Sequence, residues 1–229
     1  MIPLRDENPT RIRPVVTIAL IGACVVVFLW QLTLSEAGMQ AAVYGLGFIP
    51  AVFLGGADLP PELQVVPASM TLVTSMFMHG GLLHLGGNML YLWIFGDNIE
   101  DRMGHGRFIV FYVLCGVAAA LAQALPDADS VIPMIGASGA VSGVLGAYLV
   151  LYPRASVLVA IPLLVVLYTF HLPALAVLGL WFAGQLLSSL AQGAGEAGVA
   201  FRAHVGGFVA GLVLVRLFAR GARPPLRRH

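Results

Sequence analysis

The sequence has no lysine and few charged residues of any kind, since Asp, Glu and Arg together make up 10% of its 229 residues. A soluble globular domain carries about a quarter charged residues. Hydrophobic residues account for 59% of the chain and the mean hydropathy is +0.91, so we expect the protein to lie in a lipid bilayer. Cysteine is also scarce. Cys24 and Cys115 both fall in apolar segments, which indicates neither a disulfide framework nor a metal site.

Long apolar runs dominate what remains and predict an all-α polytopic membrane protein with a six-transmembrane-helix bundle. The predicted spans are 14–34, 80–99, 108–125, 133–151, 172–191 and 203–219. A further apolar stretch, Ser156 to Phe170, is shorter and contains Pro162, so we expect it at the interface or as a re-entrant piece. The domain organisation predicted is an N-terminal cytoplasmic segment (1–13), a membrane domain (14–219) with a long external loop (35–70), and a basic tail (220–229).

The arginines predict the orientation of these spans. With six spans, eleven of the twelve arginines fall on one side of the membrane and only Arg202 falls on the other. The positive-inside rule then places both termini in the cytoplasm. Short loops and the lack of a transit peptide favour a bacterial inner membrane.

Polar side chains within the spans are rare, and an ionisable group at membrane depth is a functional candidate. His84 and Asn88 lie four residues apart in span two and share one helix face. Ser138 lies near the start of span four and His204 near the start of span six, so all four side chains are predicted at a similar depth. Small residues repeat every four positions in spans four and six, which favours close packing of these two helices.

These residues could assemble a serine hydrolase site. A serine hydroxyl needs a neighbouring base to take its proton, and His204 is the candidate base for Ser138. The Ser138 backbone N–H, the Asn88 amide and the His84 imidazole could stabilise an oxyanion. On these residues alone, structural hydrogen bonding and a transport role remain equally good interpretations, and Ser142 is interpreted as a packing residue.

Three motifs in order carry a resemblance to a known family. The stretch Thr74 to Asn88 resembles the second-span signature of rhomboid proteases, Gly136-Ala137-Ser138-Gly139 resembles their nucleophile motif, and Ala203 to Gly207 resembles their histidine span. The resemblance covers about residues 68–219.

The resemblance implies a six-helix core in which Ser138 is the nucleophile and His204 the general base. It places Asn88, His84, Ser138 and Gly136 in the oxyanion region, with Gly136 to Ser138 forming the loop that leads into a short, central fourth helix. It further implies cleavage of single-span membrane proteins in or near their transmembrane segments, without a metal or cofactor. Span five and the loop Gly193 to Phe201 would act as the substrate gate.

Two departures from the family pattern are present. Many members have a Trp-Arg pair in the first external loop, where this chain has Ser69-Met70-Thr71. Some members have a tyrosine four residues after the serine, stacked on the histidine, and this chain has Ser142 there.

Other functions are less favoured by the sequence. No H-E-x-x-H motif is present for a metalloprotease, and Asp97 has no second intramembrane aspartate for an aspartyl protease. A transporter or channel, and an inactive relative that binds membrane clients, remain as alternatives. The partners expected are lipid and transmembrane protein substrates, with no nucleic acid, and nothing in the sequence indicates an oligomeric state.

Overall fold

The computed structural model of the protein describes residues 1–163, 166–191 and 199–219. Most of the described chain is helical. The helices are α1 (Val15–Gln31), α2 (Glu36–Leu46), α3 (Pro50–Phe53), α4 (Ala68–Thr74), α5 (Leu82–Met103), α6 (His105–Ala124), α7 (Ser138–Leu151), α8 (Ala174–Ala191) and α9 (Phe201–Phe218). Two 3₁₀ turns, Pro61–Leu63 and Ser75–Phe77, connect parts of the long loop and lead into α5.

Fewer helices are long enough to cross a membrane than the six spans that the sequence predicts. Each predicted span overlaps one helix, but among the described residues only α6, α8 and α9 are long and apolar enough to cross a membrane alone. The bent pair Pro61–Phe77 and Leu82–Met103 would make a fourth span. Helix α1 has 17 residues and α7 has 14, which at about 1.5 Å per residue falls short of a hydrocarbon core about 30 Å thick. The count of six spans stays a prediction.

The prediction of an all-α chain is wrong for the stretch from Ser156 to Phe170. This stretch forms β2 (Ser156–Leu163) and most of β3 (Val166–Pro173), which pair as an antiparallel hairpin. The N-terminal strand β1 (Ile2–Asp6) pairs with β2 and completes a sheet of order β1-β2-β3. Alternating Val and Ile favour a strand in this run. Pro162 is tolerated because it lies beyond the last β2 residue that pairs with β1.

Helix α7 lies at the centre of the bundle. All its residues from Ala140 to Tyr148 are buried, and it contacts α5, α6, α8 and α9. A helix surrounded on all sides does not need the length of a lipid-facing span to be stable, because its apolar side chains pack against protein. The start of α7 is therefore held at a fixed depth by four neighbours.

Carboxylates join the N-terminal segment to α5 and α7. The Glu100 side chain is fully buried and accepts hydrogen bonds from the Val16 and Thr17 backbone N–H groups at 2.9 and 2.8 Å, and from the Thr17 hydroxyl at 2.7 Å. Glu100 thereby caps the N-terminus of α1, where Pro14 offers no side-chain cap. Asp6 of β1 similarly accepts a hydrogen bond from the Tyr148 hydroxyl of α7 at 2.5 Å.

Candidate active site

One cavity of about 660 Å³ contains all five residues that the sequence singled out for chemistry. The predicted nucleophile, base and oxyanion residues that line it are Ser138, His204, Asn88, His84 and Gly136. They come from α5, the loop before α7, the start of α7 and the start of α9. The volume falls within the range of sites that enclose a small ligand or a short peptide segment, which is about 300–1,000 Å³.

The backbone before α7 sets the position of Ser138. Gly136 has φ +123°, a conformation that L side chains rarely adopt. A Cβ on Gly136 would lie 2.7 Å from His84 Nε2, so a side chain there would also collide with the His84 ring. The Gly136 N–H donates to the Ser75 carbonyl at 2.8 Å, which fixes the turn. Ser138 is the first residue of α7, so its own N–H has no acceptor within the helix and faces outward from the positive end of the helix dipole.

The predicted stripes of small residues on α7 and α9 pack directly on each other. A Cβ on Gly207 would collide with the Gly139 carbonyl oxygen, and a Cβ on Gly211 would collide with the Gly143 carbonyl oxygen. Only glycine permits this distance between the two backbones. The contact brings the first turns of α7 and α9 together, so Ser138 and His204 line the same end of the cavity.

No hydrogen bond joins the Ser138 hydroxyl to His204 in the part of the chain that the structure describes. His204 is 9% exposed, and its Nδ1 lies 2.6 Å from the Gln185 Oε1 of α8. The ring of Trp181, also on α8, lies beside the imidazole with a centroid distance of 6.0 Å. The hydroxyl of Ser142 donates to the Ser138 carbonyl at 2.6 Å, in keeping with a packing role.

Two hydrogen-bond donors face the cavity from α5. His84 Nδ1 accepts from the Gly80 N–H at 3.3 Å, so the ring proton is on Nε2, the atom nearest Gly136. Asn88 is 7% exposed, and its Nδ2 has no hydrogen-bond partner among the described residues. A buried amide donor without an acceptor is costly, and such groups are rare outside functional sites.

His79 lies in the loop before α5 and is fully buried. Its ring makes an edge contact with the ring of His84, with a centroid distance of 5.2 Å. The Gln31 side chain accepts from the His79 N–H at 3.0 Å and donates to the His79 carbonyl at 3.1 Å. Helix α1 thus fixes the loop that carries His79, within the stretch Thr74 to Asn88.

Gln185 is the site residue that sequence reasoning missed. It is the one carboxamide in the segment 172–191, and a polar group in an apolar span is a signal that could have found it. Its partner is 19 positions away on another helix, so no local spacing connects the two. Residues 1–163, 166–191 and 199–219 contain no cluster of three or more His, Cys, Asp or Glu side chains that could hold a metal ion.

Comparison with known proteins gives consistent matches. "Rhomboid protein 1, mitochondrial" of Saccharomyces cerevisiae is 33% identical over 189 residues, which cover 77% of this chain and 50% of that protein. "RHOMBOID-like protein 5" of Arabidopsis thaliana is 38% identical over 78 residues, covering 34% of this chain and 25% of that protein. "Rhomboid protease GluP" of Bacillus subtilis is 40% identical over 78 residues, covering 34% of this chain and 15% of that protein. This chain spans half or less of the length of these relatives.

The names of the relatives also bear on location. Apolar helices long enough to cross a bilayer make the chain an integral membrane protein. The relatives include proteins named as mitochondrial and chloroplastic, so the matches give no support to a bacterial inner membrane in particular, and that location stays a prediction.

A family model described as the Rhomboid domain matches residues 67–221, which is more than half of the chain. The match includes α5 through α9 and therefore all five candidate residues that line the cavity. Since both this match and the relatives agree, the chain belongs to the rhomboid family.

Proposed function

We propose that this protein is an intramembrane serine endopeptidase that cuts single-span membrane proteins in or near their transmembrane segments. The observation that carries the proposal is the 2.6 Å contact between His204 Nδ1 and Gln185 Oε1. A carboxamide oxygen only accepts hydrogen bonds, so Nδ1 holds the imidazole proton. His204 Nε2 then keeps the lone pair that a general base requires, at the end of the cavity that also holds Ser138.

In the proposed reaction the Ser138 hydroxyl attacks the substrate carbonyl while His204 Nε2 takes its proton. The resulting imidazolium gives that proton to the leaving amine as the peptide bond breaks, which leaves an acyl group on Ser138. Water then attacks the ester while His204 takes its proton, and the imidazolium returns that proton to Ser138 Oγ as the ester bond breaks and the acid product leaves. The hydroxyl must turn toward Nε2 on substrate binding, in keeping with the tightening of catalytic hydrogen bonds in substrate complexes.

Three donors would stabilise the oxyanion formed in each attack. They are the unpaired Asn88 Nδ2–H, the His84 Nε2–H and the Ser138 backbone N–H at the start of α7. Asn88 is buried and the Ser138 N–H is fixed by the helix backbone, whereas the more exposed His84 ring is held by the Gly80 N–H and by its edge contact with His79, so little reorganisation is needed when charge develops. Removal of one such donor from a serine hydrolase typically costs about 2.7–4 kcal/mol of transition-state stabilisation.

Helix α8 is the proposed gate for substrate. Three helices are long enough to cross a membrane alone, and α8 is the least enclosed of them. Only 17% of the residues in its apolar stretch are buried inside the protein. It supplies both Gln185 and Trp181 to the side of the cavity, so movement of α8 would open a lateral path from lipid. The other part of the predicted gate, the loop Gly193 to Phe201, lies largely outside the described residues.

Cleavage of a single-span reporter in proteoliposomes tests this function. Ser138→Ala and His204→Ala are each expected to abolish cleavage, whereas Ser142→Ala keeps it, because that hydroxyl only donates to a backbone carbonyl one turn away. Ser142→Ala is thus a matched control on the same helix. A fluorophosphonate probe should label the unmodified protein and Ser142→Ala but not Ser138→Ala. Cleavage that survives Ser138→Ala, or absence of both labelling and cleavage, would contradict the proposal.

A further inference from the structure

The β2–β3 hairpin presents apolar side chains that no part of the described protein covers. No Asp, Glu, Lys or Arg occurs from Ser156 to Phe170. The half-exposed side chains at the far end of the hairpin are Leu163, Val166, Leu167, Tyr168 and Phe170, with exposed fractions of 38–56%. Exposed apolar side chains lie on both faces of β3, since neighbouring residues along a strand point to opposite faces. We call these five residues the hairpin tip.

Water is a poor environment for the hairpin tip. Large contiguous apolar patches on soluble surfaces mark sites of protein or membrane interaction. Strand β3 is moreover the outer strand of the sheet, paired with β2 on one side only. Soluble proteins protect such edges with charges or proline, and β3 has no charged residue along Val166–Phe170.

The surroundings of the hairpin identify lipid as its partner. Helix α8 begins directly after β3, and its exposed leucines, among them Leu175, Leu180 and Leu187, form a lipid-facing surface. The apolar surface of β3 therefore lies next to that of α8 along the chain, separated from it by His171, which pairs with Glu7 at 3.1 Å, and by Leu172 and Pro173. Two exposed arginines flank the hairpin, Arg154 just before β2 and Arg5 on β1. Arginines beside an apolar surface suit anionic headgroups.

We infer that the hairpin tip lies in the interfacial layer of the leaflet nearest the protein's N-terminal segment, with its apolar side chains among the upper acyl chains. The sheet belongs to this face because β1 is part of the segment that precedes α1, and Asp6 of β1 bonds to Tyr148 near the end of α7. The depth is limited by the free edge of β3. Its backbone groups need hydrogen bonds that the hydrocarbon core does not offer, so β3 stays at the level of the headgroups. Tyr168 suits that level, where aromatic residues with polar groups are enriched.

Spin labelling of the full chain in phosphatidylcholine–phosphatidylglycerol proteoliposomes tests this inference. Labels at Leu167→Cys and Tyr168→Cys sample the two faces of β3. The native Cys24 and Cys115 are fully buried, and the unmutated protein serves as the control for any labelling of these two residues. Collision rates with oxygen report lipid, and those with a water-soluble nickel chelate report water. Leu187→Cys on α8 is the lipid reference and Glu62→Cys in the exposed external loop is the water reference.

At least one β3 label is expected to show an oxygen-to-nickel collision ratio several-fold above that of Glu62→Cys and approaching that of Leu187→Cys. Ratios equal to the Glu62→Cys value at both positions would overturn the inference. Strong dipolar coupling between labels, rising with protein-to-lipid ratio, would also overturn it, since a second copy paired along β3 would then be the cover. None of these readouts depends on catalysis, so the inference stands or falls separately from the proposed protease function.

Discussion

Replacing Gln185 with methionine removes the acceptor of His204 Nδ1 while keeping a side chain of similar length. In the native protein this acceptor lies 2.6 Å from a nitrogen of a ring that is 9% exposed. Without it the buried N–H loses its partner, at a cost of about 1–3 kcal/mol. The imidazole is then free to adopt the tautomer with Nε2 protonated, which cannot accept the Ser138 proton. At 1.36 kcal/mol per tenfold, we expect kcat to fall about 5- to 150-fold.

The assay is cleavage of a single-span reporter in proteoliposomes, with kcat and KM determined separately. A change in substrate entry through α8 would appear mainly in KM, whereas loss of the oriented base appears in kcat. Gln185→Glu retains an acceptor at the same place and should lose less activity than Gln185→Met. Ser189→Ala, one turn along the same helix, controls for general disturbance of α8. An unchanged kcat in Gln185→Met, or an equal loss in Gln185→Glu, would refute the assigned role.

Three further predictions concern the remaining parts of the site and the bundle. Asn88→Ala should lower kcat about 10²–10³-fold with an unchanged unfolding temperature, because its amide nitrogen has no partner to lose; a kcat within twofold of native would contradict an oxyanion role. Gly207→Ala should destabilise the protein by about 1–3 kcal/mol and reduce cleavage, because the new methyl group meets the α7 backbone. The control Gly184→Ala should be tolerated in the same thermal-unfolding and cleavage assays, because a methyl group there would have no atom within 4 Å. Glu100→Gln should lower the stability measured by thermal unfolding in detergent by about 3 kcal/mol, since two or more charge-assisted hydrogen bonds weaken. The control is Asp101→Asn, because the Asp101 carboxylate accepts from more exposed N–H groups. A smaller loss in Glu100→Gln than in Asp101→Asn would contradict the capping role.

Sequence reasoning located α1 and α5 to α9, but not α2 to α4 of the predicted long loop, and it singled out five of the residues that line the cavity, because lipid imposes strong rules on a chain. An apolar run of sufficient length predicts a helix, and a polar side chain such as His204 within that run stands out. Ser138 and His204 could be linked in advance because small residues at fixed spacing mark where two helices approach closely.

The same rules give no information about features that depend on a distant partner. The run from Ser156 to Phe170 is equally apolar as a helix or a strand, and its strand conformation depends on pairing with Ile2–Asp6, about 150 positions earlier. Gln185 acquires its role only when α8 lies beside α9. The cap that Glu100 provides to α1 also joins two segments with no common motif.

The Glu100 cap has a consequence for the smallest unit that can be produced. The stretch recognised as the Rhomboid domain begins at residue 67 and so includes Glu100 but not Val16 or Thr17. A fragment cut at that boundary would keep His105 beside the buried Glu100 carboxylate but lose the other three of its four hydrogen-bond partners. The first helix is thus an integral piece of the folding unit, and expression of a shortened version should start before Val15, the first residue of that helix.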